Sequence, residues 1–204
     1  MYFCDDVDLM VWEPGIYAAS AFAHQALVKA SAGTLTATAL VTAAGVLDAV
    51  LPGMVVMADG GGLSQLLEVV AVADSAHATV SALRGRADEA AAPGLVCGSV
   101  TVTVVSFRPQ IAAIGDELLA LLGVASDRAD AGVAVERPRG FRMACVFGTL
   151  AAIFRILAAA DGATAAEAAK RDFYEKTYAD VRRGVRGKVH DREVWAAAGE
   201  LIRK

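Results

Sequence analysis

The sequence is poor in what metal, thiol and hydrolytic chemistry require. Its three histidines, His24, His77 and His190, stand far apart, none lies in His-Glu-x-x-His, and no Cys-x-x-Cys occurs. No metal site is therefore written locally. The three cysteines, Cys4, Cys97 and Cys145, are odd in number and widely separated. Nothing pairs them by spacing, and a reducing cytosol fits them better than a secreted disulfide scaffold. No Gly-x-Ser-x-Gly elbow anchors a serine hydrolase. Basic charge is short as well: a net charge of −4 argues against a general nucleic-acid binder. Aromatic residues make up 6% of the chain, and both tryptophans, Trp12 and Trp195, lie outside its strand-rich part. A sugar-stacking platform on strands is thus unsupported. Within the most apolar stretch, 141–160, the uninterrupted run 143–154 is 12 residues, too short for a bilayer and typical of a buried helix. The start, Met-Tyr-Phe-Cys-Asp-Asp, has no basic n-region, so a signal peptide is not expected. The expectation is no catalytic residue, no cofactor and no metal.

What is present is a core. The 204 residues are 56% hydrophobic and 21% charged, which excludes wholesale disorder and suits one domain, or one carrying a small second one. Alanine, at 44 residues, inflates the mean hydropathy.

The pattern falls into three blocks. In the first, Pro14 suits a first helical turn, and Tyr17, Phe22, Ala26 and Leu27 recur at roughly helical spacing before Gly33; a helix is expected over 14–30. In the second, the period changes to two. Residues 34–40 alternate Thr with Leu or Ala, and 100–104 alternate Val with Thr. Between them, 53–57, 66–72 and 78–83 are short, β-branched and bounded by Pro52-Gly53, Asp59-Gly-Gly-Gly62, Asp74-Ser75 and Gly85. Five short strands suggest a small antiparallel barrel or sandwich. In the third, Pro109 opens a helix with Ile111, Ile114, Leu118, Leu121 and Leu122 on one stripe, ended by Gly123. Residues 124–140 read as a loop. Residues 141–160, broken only by Arg142 and Arg155, read as the most buried helix. Thr164-Ala-Ala-Glu167 has capping-box spacing and opens a helix to about Arg183. A last short helix is expected near 191–202.

Strands bracketed by helices, with no βαβ alternation, argue against a parallel sheet. The fold class expected is α+β: an α-helical bundle, 1–32 and 107–204, with an inserted antiparallel β-barrel or sandwich, 33–106.

Other features carry little chemistry. His24 on the first helix reads as partly buried or interfacial, and His77 as part of a hairpin turn. Gly60-Gly-Gly62 is followed by Leu63-Ser-Gln and a strand, not by the Lys, Ser/Thr and helix of a phosphate loop, and reads as a turn. The adjacent carboxylates Asp5 and Asp6, Asp88 and Glu89, Asp116 and Glu117 diverge on any element and read as solvated charge.

Charge distribution says more. Residues 170–204 hold 10 Lys/Arg and 6 Asp/Glu, against 9 and 17 in 1–169. The basic tail, 182–204, clusters Arg182, Arg183, Arg186 and Lys188 around Gly184 and Gly187. Such a segment can contact phosphates or an acidic protein surface. An acidic body with a basic end also suits head-to-tail ring assembly.

In layout the chain resembles the head–tail connector (adaptor, or neck) proteins of tailed bacteriophages. The resemblance rests on Asp8-Leu-Met-Val-Trp-Glu-Pro14 ahead of the first helix, and on the helical pair 141–160 and 164–183 with Phe173, Tyr174 and Tyr178. It extends to β-segments like those of phage structural proteins: Leu51-Pro-Gly-Met-Val-Val56, Leu67-Glu-Val-Val-Ala-Val-Ala-Asp74 and Ala78-Thr-Val-Ser-Ala-Leu-Arg-Gly85. The resemblance implies a virion structural protein without enzymatic activity, assembled in the host cytoplasm and residing in the neck of the particle. Its partners would be its own copies in a dodecameric ring, the portal protein and a downstream neck or tail protein, with non-specific DNA contact in the lumen and no membrane. The partner-binding residues implied are Arg182, Arg183, Arg186, Lys188, Arg192 and Trp195. Plain helical adaptors lack a β-domain of this size. The same parts also suit a tail-completion, tail-terminator or decoration protein, or a small ligand-binding β-module.

Overall fold

The computed structural model describes residues 3–124, 135–189 and 192–195. The fold is α+β, with a closed six-stranded antiparallel barrel. The chain divides into two compact units: Asp5–Ser106, and Phe107–Lys204 together with Met1–Cys4.

The first unit opens with helix α1 (Asp6–Trp12). Asp5 caps it: its carboxylate accepts the Asp8 amide, and the Asp8 carboxylate accepts the Asp5 amide, each at 3.2 Å. Two short 3₁₀ helices follow, Pro14–Ala18 and Ser20–Gln25, and then strand β1 (Ala26–Thr36). The continuous helix expected over 14–30 is therefore corrected. Tyr17, Phe22 and Ala26 are spaced by five and four, not by a sustained 3.6 period. From Ala26 the backbone pairs with a distant strand, and those ladder hydrogen bonds override weak local helix preference. The expected division placed residues 1–32 with the later helices; Asp5 through Ala32 cluster with the strands. His24 is exposed at the end of the second 3₁₀ turn.

The remaining strands are β2 (Ala39–Thr42), β3 (Val55–Gly60), β4 (Leu63–Val72), β5 (His77–Ser81) and β6 (Gly98–Val105). They close in the order β1-β2-β5-β4-β3-β6, every pair antiparallel. The period-two pattern sets the inside. Val100, Val102 and Val104 are buried while Thr101 is exposed, and Leu35, Leu40, Val56, Leu67, Val69 and Val80 fill the same core. The strand expected over 34–40 is two strands joined at Ala37-Thr38, with Leu35 opposite Leu40. Ala37 takes a left-handed φ of 51°, where glycine or asparagine is usual. Gly61 and Gly62, at φ 60° and 80°, make the two-residue turn between β3 and β4. Positive φ at both positions is the hairpin turn that matches strand twist.

The long connection from β5 to β6 is strapped to the barrel. Arg84 lies on Glu68 at 2.5 Å, both side chains about nine-tenths buried, and donates to the carbonyls of Ala87 and Glu89 at 2.8 Å. Gln65 Oε1 accepts from the Leu95 and Val96 amides at 2.6 and 3.2 Å.

In the second unit, α2 (Arg108–Leu121), α3 (Phe141–Ala159) and α4 (Ala165–Arg182) pack with α3 between the others. Helix α3 buries 12 of its 19 residues, against 4 of 14 in α2 and 2 of 18 in α4. By length and composition α3 could cross a membrane, but its apolar surface is mostly covered by the fold. Arg142 and Arg155 point outward, as the pattern required. The Thr164–Glu167 capping box forms. Three short strands, β7 (Val135–Arg139), β8 (Arg186–Val189) and β9 (Arg192–Trp195), make a separate antiparallel sheet ordered β7-β8-β9. Strand β7 replaces the end of the loop expected over 124–140, whose residues 125–134 lie outside the described residues. Strand β9 replaces the start of the helix expected near 191–202; the remainder of that span, and His190, also lie outside them.

Gly148 sets the helix spacing. A Cβ there would sit 2.8 Å from Ile114 on α2 and 2.8 Å from the Tyr178 ring on α4. Tyr174 of α4 then stacks between Phe147 and Phe154 of α3, with centroids at 6.2 and 5.4 Å. Gly148→Ala should cost roughly 1–3 kcal/mol, because the methyl would overlap the Ile114 side chain and the Tyr178 ring, both held in the packed layer. Phe154→Ala should cost roughly 3–5 kcal/mol. Urea unfolding followed by circular dichroism measures both, and a Gly148→Ala chain as stable as the parent would show that the helices do not meet there. A second expectation concerns excision. Removing 34–105 strips β1 of its partners and should leave a misfolded product. Joining Cys4 to Phe107 through a short linker, so that Asp5–Ser106 is removed whole, should leave a soluble helical one by the same spectroscopy.

Candidate functional site

The basic residues near the C-terminus are distributed by the fold over two settings. Arg182 ends α4. Its Nη1 is 3.1 Å from Glu117 Oε1 on α2, and its guanidinium lies 5.6 Å from the Tyr178 ring centroid. Arg183 pairs with Asp180 at 3.2 Å. Both side chains are already engaged within the helical unit, and Arg182 ties α4 to α2. The chain does not swing free after them: the Gly184 amide bonds Val181 O, the Val185 amide bonds Arg182 O, and Val185 is fully buried.

Val185 leads directly into β8, which carries Arg186 and Lys188, while Arg192 and Trp195 lie on β9. In register, Arg186 lies across from Trp195 on one side and Arg139 on the other; Lys188 lies across from Glu193 and Glu136. Sequence reading missed Arg137 and Arg139, because β7 precedes α3 and α4 while β8 follows them. Their only local signal is Glu-Arg-Pro-Arg, ordinarily a loop composition. The three strands together hold five basic and two acidic residues. The fold thus assembles a basic sheet from two segments, with backbone edges at β7 and β9, whereas the barrel, being closed, has none.

The acidic counterpart lies in the other unit. Asp5–Ser106 holds 10 Asp/Glu against 3 Lys/Arg, a balance of −7, and the rest of the chain holds 13 against 16, a balance of +3.

The carboxylate pairs behave unequally. Asp88 meets Arg86, and Glu89 accepts the Gly85 amide, both on the surface as expected. Asp5 caps α1. Asp6, expected to be solvated, is fully buried, and this is a correction. Its carboxylate accepts the Ser106 hydroxyl at 2.7 Å, and its carbonyl accepts the Tyr17 hydroxyl at 2.5 Å. Helix geometry turns Asp6 inward once Asp5 occupies the cap, and these partners offset the desolvation. Asp74 accepts the Ala76 and His77 amides at 2.8 and 2.9 Å and lies 2.8 Å from His77 Nδ1. Those contacts, the Ala76 amide first, hold its carboxyl below the ordinary range. The His77 turn is thereby accounted for as structure. Among the described residues no group of three or more His, Cys, Asp or Glu is placed to hold a metal ion.

Burial, and then the Glu117 carboxylate, push the Tyr178 phenol well above its ordinary value of 10. The raised folded-state value fixes the sign. Stability from neutral Tyr178 is complete below the ordinary phenol range and is lost as pH rises from there through the folded value. Alkaline unfolding with absorbance detection of tyrosinate should show Tyr178 ionising only as the helical unit opens, and Tyr178→Phe should remove that part of the pH dependence. Early ionisation of all four tyrosines in the folded chain would contradict the burial. No family model matches the chain, and neither the curated proteins nor the solved structures hold a match to it.

Proposed function

We propose that this protein is a non-enzymatic structural subunit that works by assembly, as a ring-forming head–tail connector of a tailed bacteriophage. In this reading it is a helical bundle bearing an inserted barrel, stacked below the portal, with DNA passing through the lumen. The observation that carries the reading is the separation of charge: −7 on the barrel unit and +3 on the rest, with a basic sheet built from β7, β8 and β9. Opposite charges on different parts of one chain favour a heterologous contact, which closes into a ring when the rotation permits. The layout set out above supplies the phage context. Arg186, Lys188 and Arg192 are the partner-binding residues in this proposal; Arg182 serves the interior tie to Glu117.

Native mass spectrometry and sedimentation of the purified chain, alone and mixed with the portal protein of the same phage, test it. The expected result is a ring or a portal-bound ring whose stability falls as salt rises, since surface charge contacts are screened over about 10 Å at 0.1 M. Reversing Arg186, Lys188 and Arg192 to Glu should abolish the assembly and leave the circular dichroism unchanged. A chain that stays monomeric at all concentrations, with portal present, would refute the connector role. Reversing Arg182 is the wrong test, because it would set two carboxylates together between α2 and α4.

A further inference from the structure

Two cysteines that the sequence keeps far apart meet in the helical unit. Phe3 packs on Phe141 with ring centroids 4.4 Å apart. Cys4 follows Phe3, and Cys145 stands one helical turn beyond Phe141 on the same face of α3. The Cys4 thiol, then the Thr149 hydroxyl and the Phe3 and Cys4 backbone, lie close enough to the Cys145 sulfur to favour its thiolate, and the Cys145 S–H is directed to the Ile111 carbonyl at 3.8 Å. Cys145 is fully buried, Cys4 is 6% exposed, and Cys97 is exposed. The Cys4 thiol is the largest influence holding the Cys145 thiol below its ordinary range, against the effect of burial.

We propose that Cys4 and Cys145 are an oxidant-responsive pair that closes into an intramolecular disulfide, tying Phe3 and Cys4 to α3. Two interacting thiols, Cys4 with 6% of its surface exposed and Cys145 fully buried, are placed as an attacking and a resolving cysteine. With a small disulfide such as oxidised glutathione, the Cys4 thiolate attacks one glutathione sulfur. The glutathione S–S bond breaks, a mixed disulfide forms on Cys4, and one glutathione thiolate leaves. The Cys145 thiolate then attacks the Cys4 sulfur, breaks the mixed disulfide and expels the second glutathione. Both protein thiols are oxidised, the glutathione disulfide is reduced to two thiols, and the protein's two protons pass to the leaving thiolates. The pair is open in a reducing cytosol and closes on transfer to an oxidising medium. Cys4 is the last residue before the chain enters the barrel unit, so the bond would make covalent the seat of one of the two chain crossings between units. This inference is independent of the connector reading.

The test uses the full chain carrying Cys97→Ser, which removes the exposed thiol. The reduced, folded protein is incubated with oxidised glutathione at neutral pH, then unfolded in N-ethylmaleimide and weighed intact. Both remaining thiols should be lost to alkylation with no gain of glutathione mass. Unreduced peptide mapping should join the peptides holding Cys4 and Cys145, and dithiothreitol should restore both thiols. Cys4→Ser in the same background should leave Cys145 alkylatable after the same treatment. The oxidised chain should melt higher than the reduced one, a shift absent from the Cys4→Ser chain. If Cys4 and Cys145 both remain alkylatable, or both end as glutathione adducts, the pair does not close and the proposal is wrong.

Discussion

The helical unit depends on the missing side chain at Gly148. Ile114 and Tyr178 approach that position from opposite helices, each within 2.8 Å of where a Cβ would stand. That closeness brings Tyr174 between Phe147 and Phe154 and carries the end of α4 to where Arg182 reaches Glu117. Dispersion between close-packed atoms is small per pair and large in sum, so a spacing held at one residue governs the whole layer. The same layer anchors α4, whose buried residues are Tyr174 and Tyr178, alongside its capping box and the Arg155–Glu175 and Arg182–Glu117 pairs.

The barrel unit is governed by closure. Each strand has two neighbours, so no ladder is left open, and the inward valines and leucines occupy one continuous core. The long connection between β5 and β6 has little apolar anchorage and is held by polar straps instead. Glu68–Arg84 is the most buried of these. A pair of this kind gains little over an apolar substitute, but removing one partner strands the other charge at a cost of roughly 3–5 kcal/mol. Its role is to specify the path of the connection.

The two units also differ in charge, and the functional reading grows from that difference. An acidic barrel unit and a basic three-stranded sheet give one chain two regions of opposite charge, and the proposed assembly rests on that opposition. The proposed Cys4–Cys145 pair lies at the start of α3, where Phe3 packs on Phe141.

The linear sequence was sufficient for whatever depends on neighbours within a few residues. The capping box at Thr164, the stop at Gly123, the apolar wrap of α3, the Gly61-Gly62 turn and the alternation in β6 all follow from local periodicity and backbone preference. It misled where a distant partner decided the outcome. Ala26–Thr36 is a strand because β6 and β2 pair with it, and Ala37 turns the chain without a glycine because barrel closure holds it there. Asp6 is buried because Ser106, a hundred residues on, supplies its hydrogen bond. Arg139 joins Arg186 only across a sheet, and Cys4 meets Cys145 only through the packing of Phe3 on Phe141. The physical reason is common to all five. Local preferences are worth tenths of a kcal/mol per residue, whereas ladder hydrogen bonds and burial between remote segments are worth about one or more each, and their partners are fixed only when the chain closes on itself.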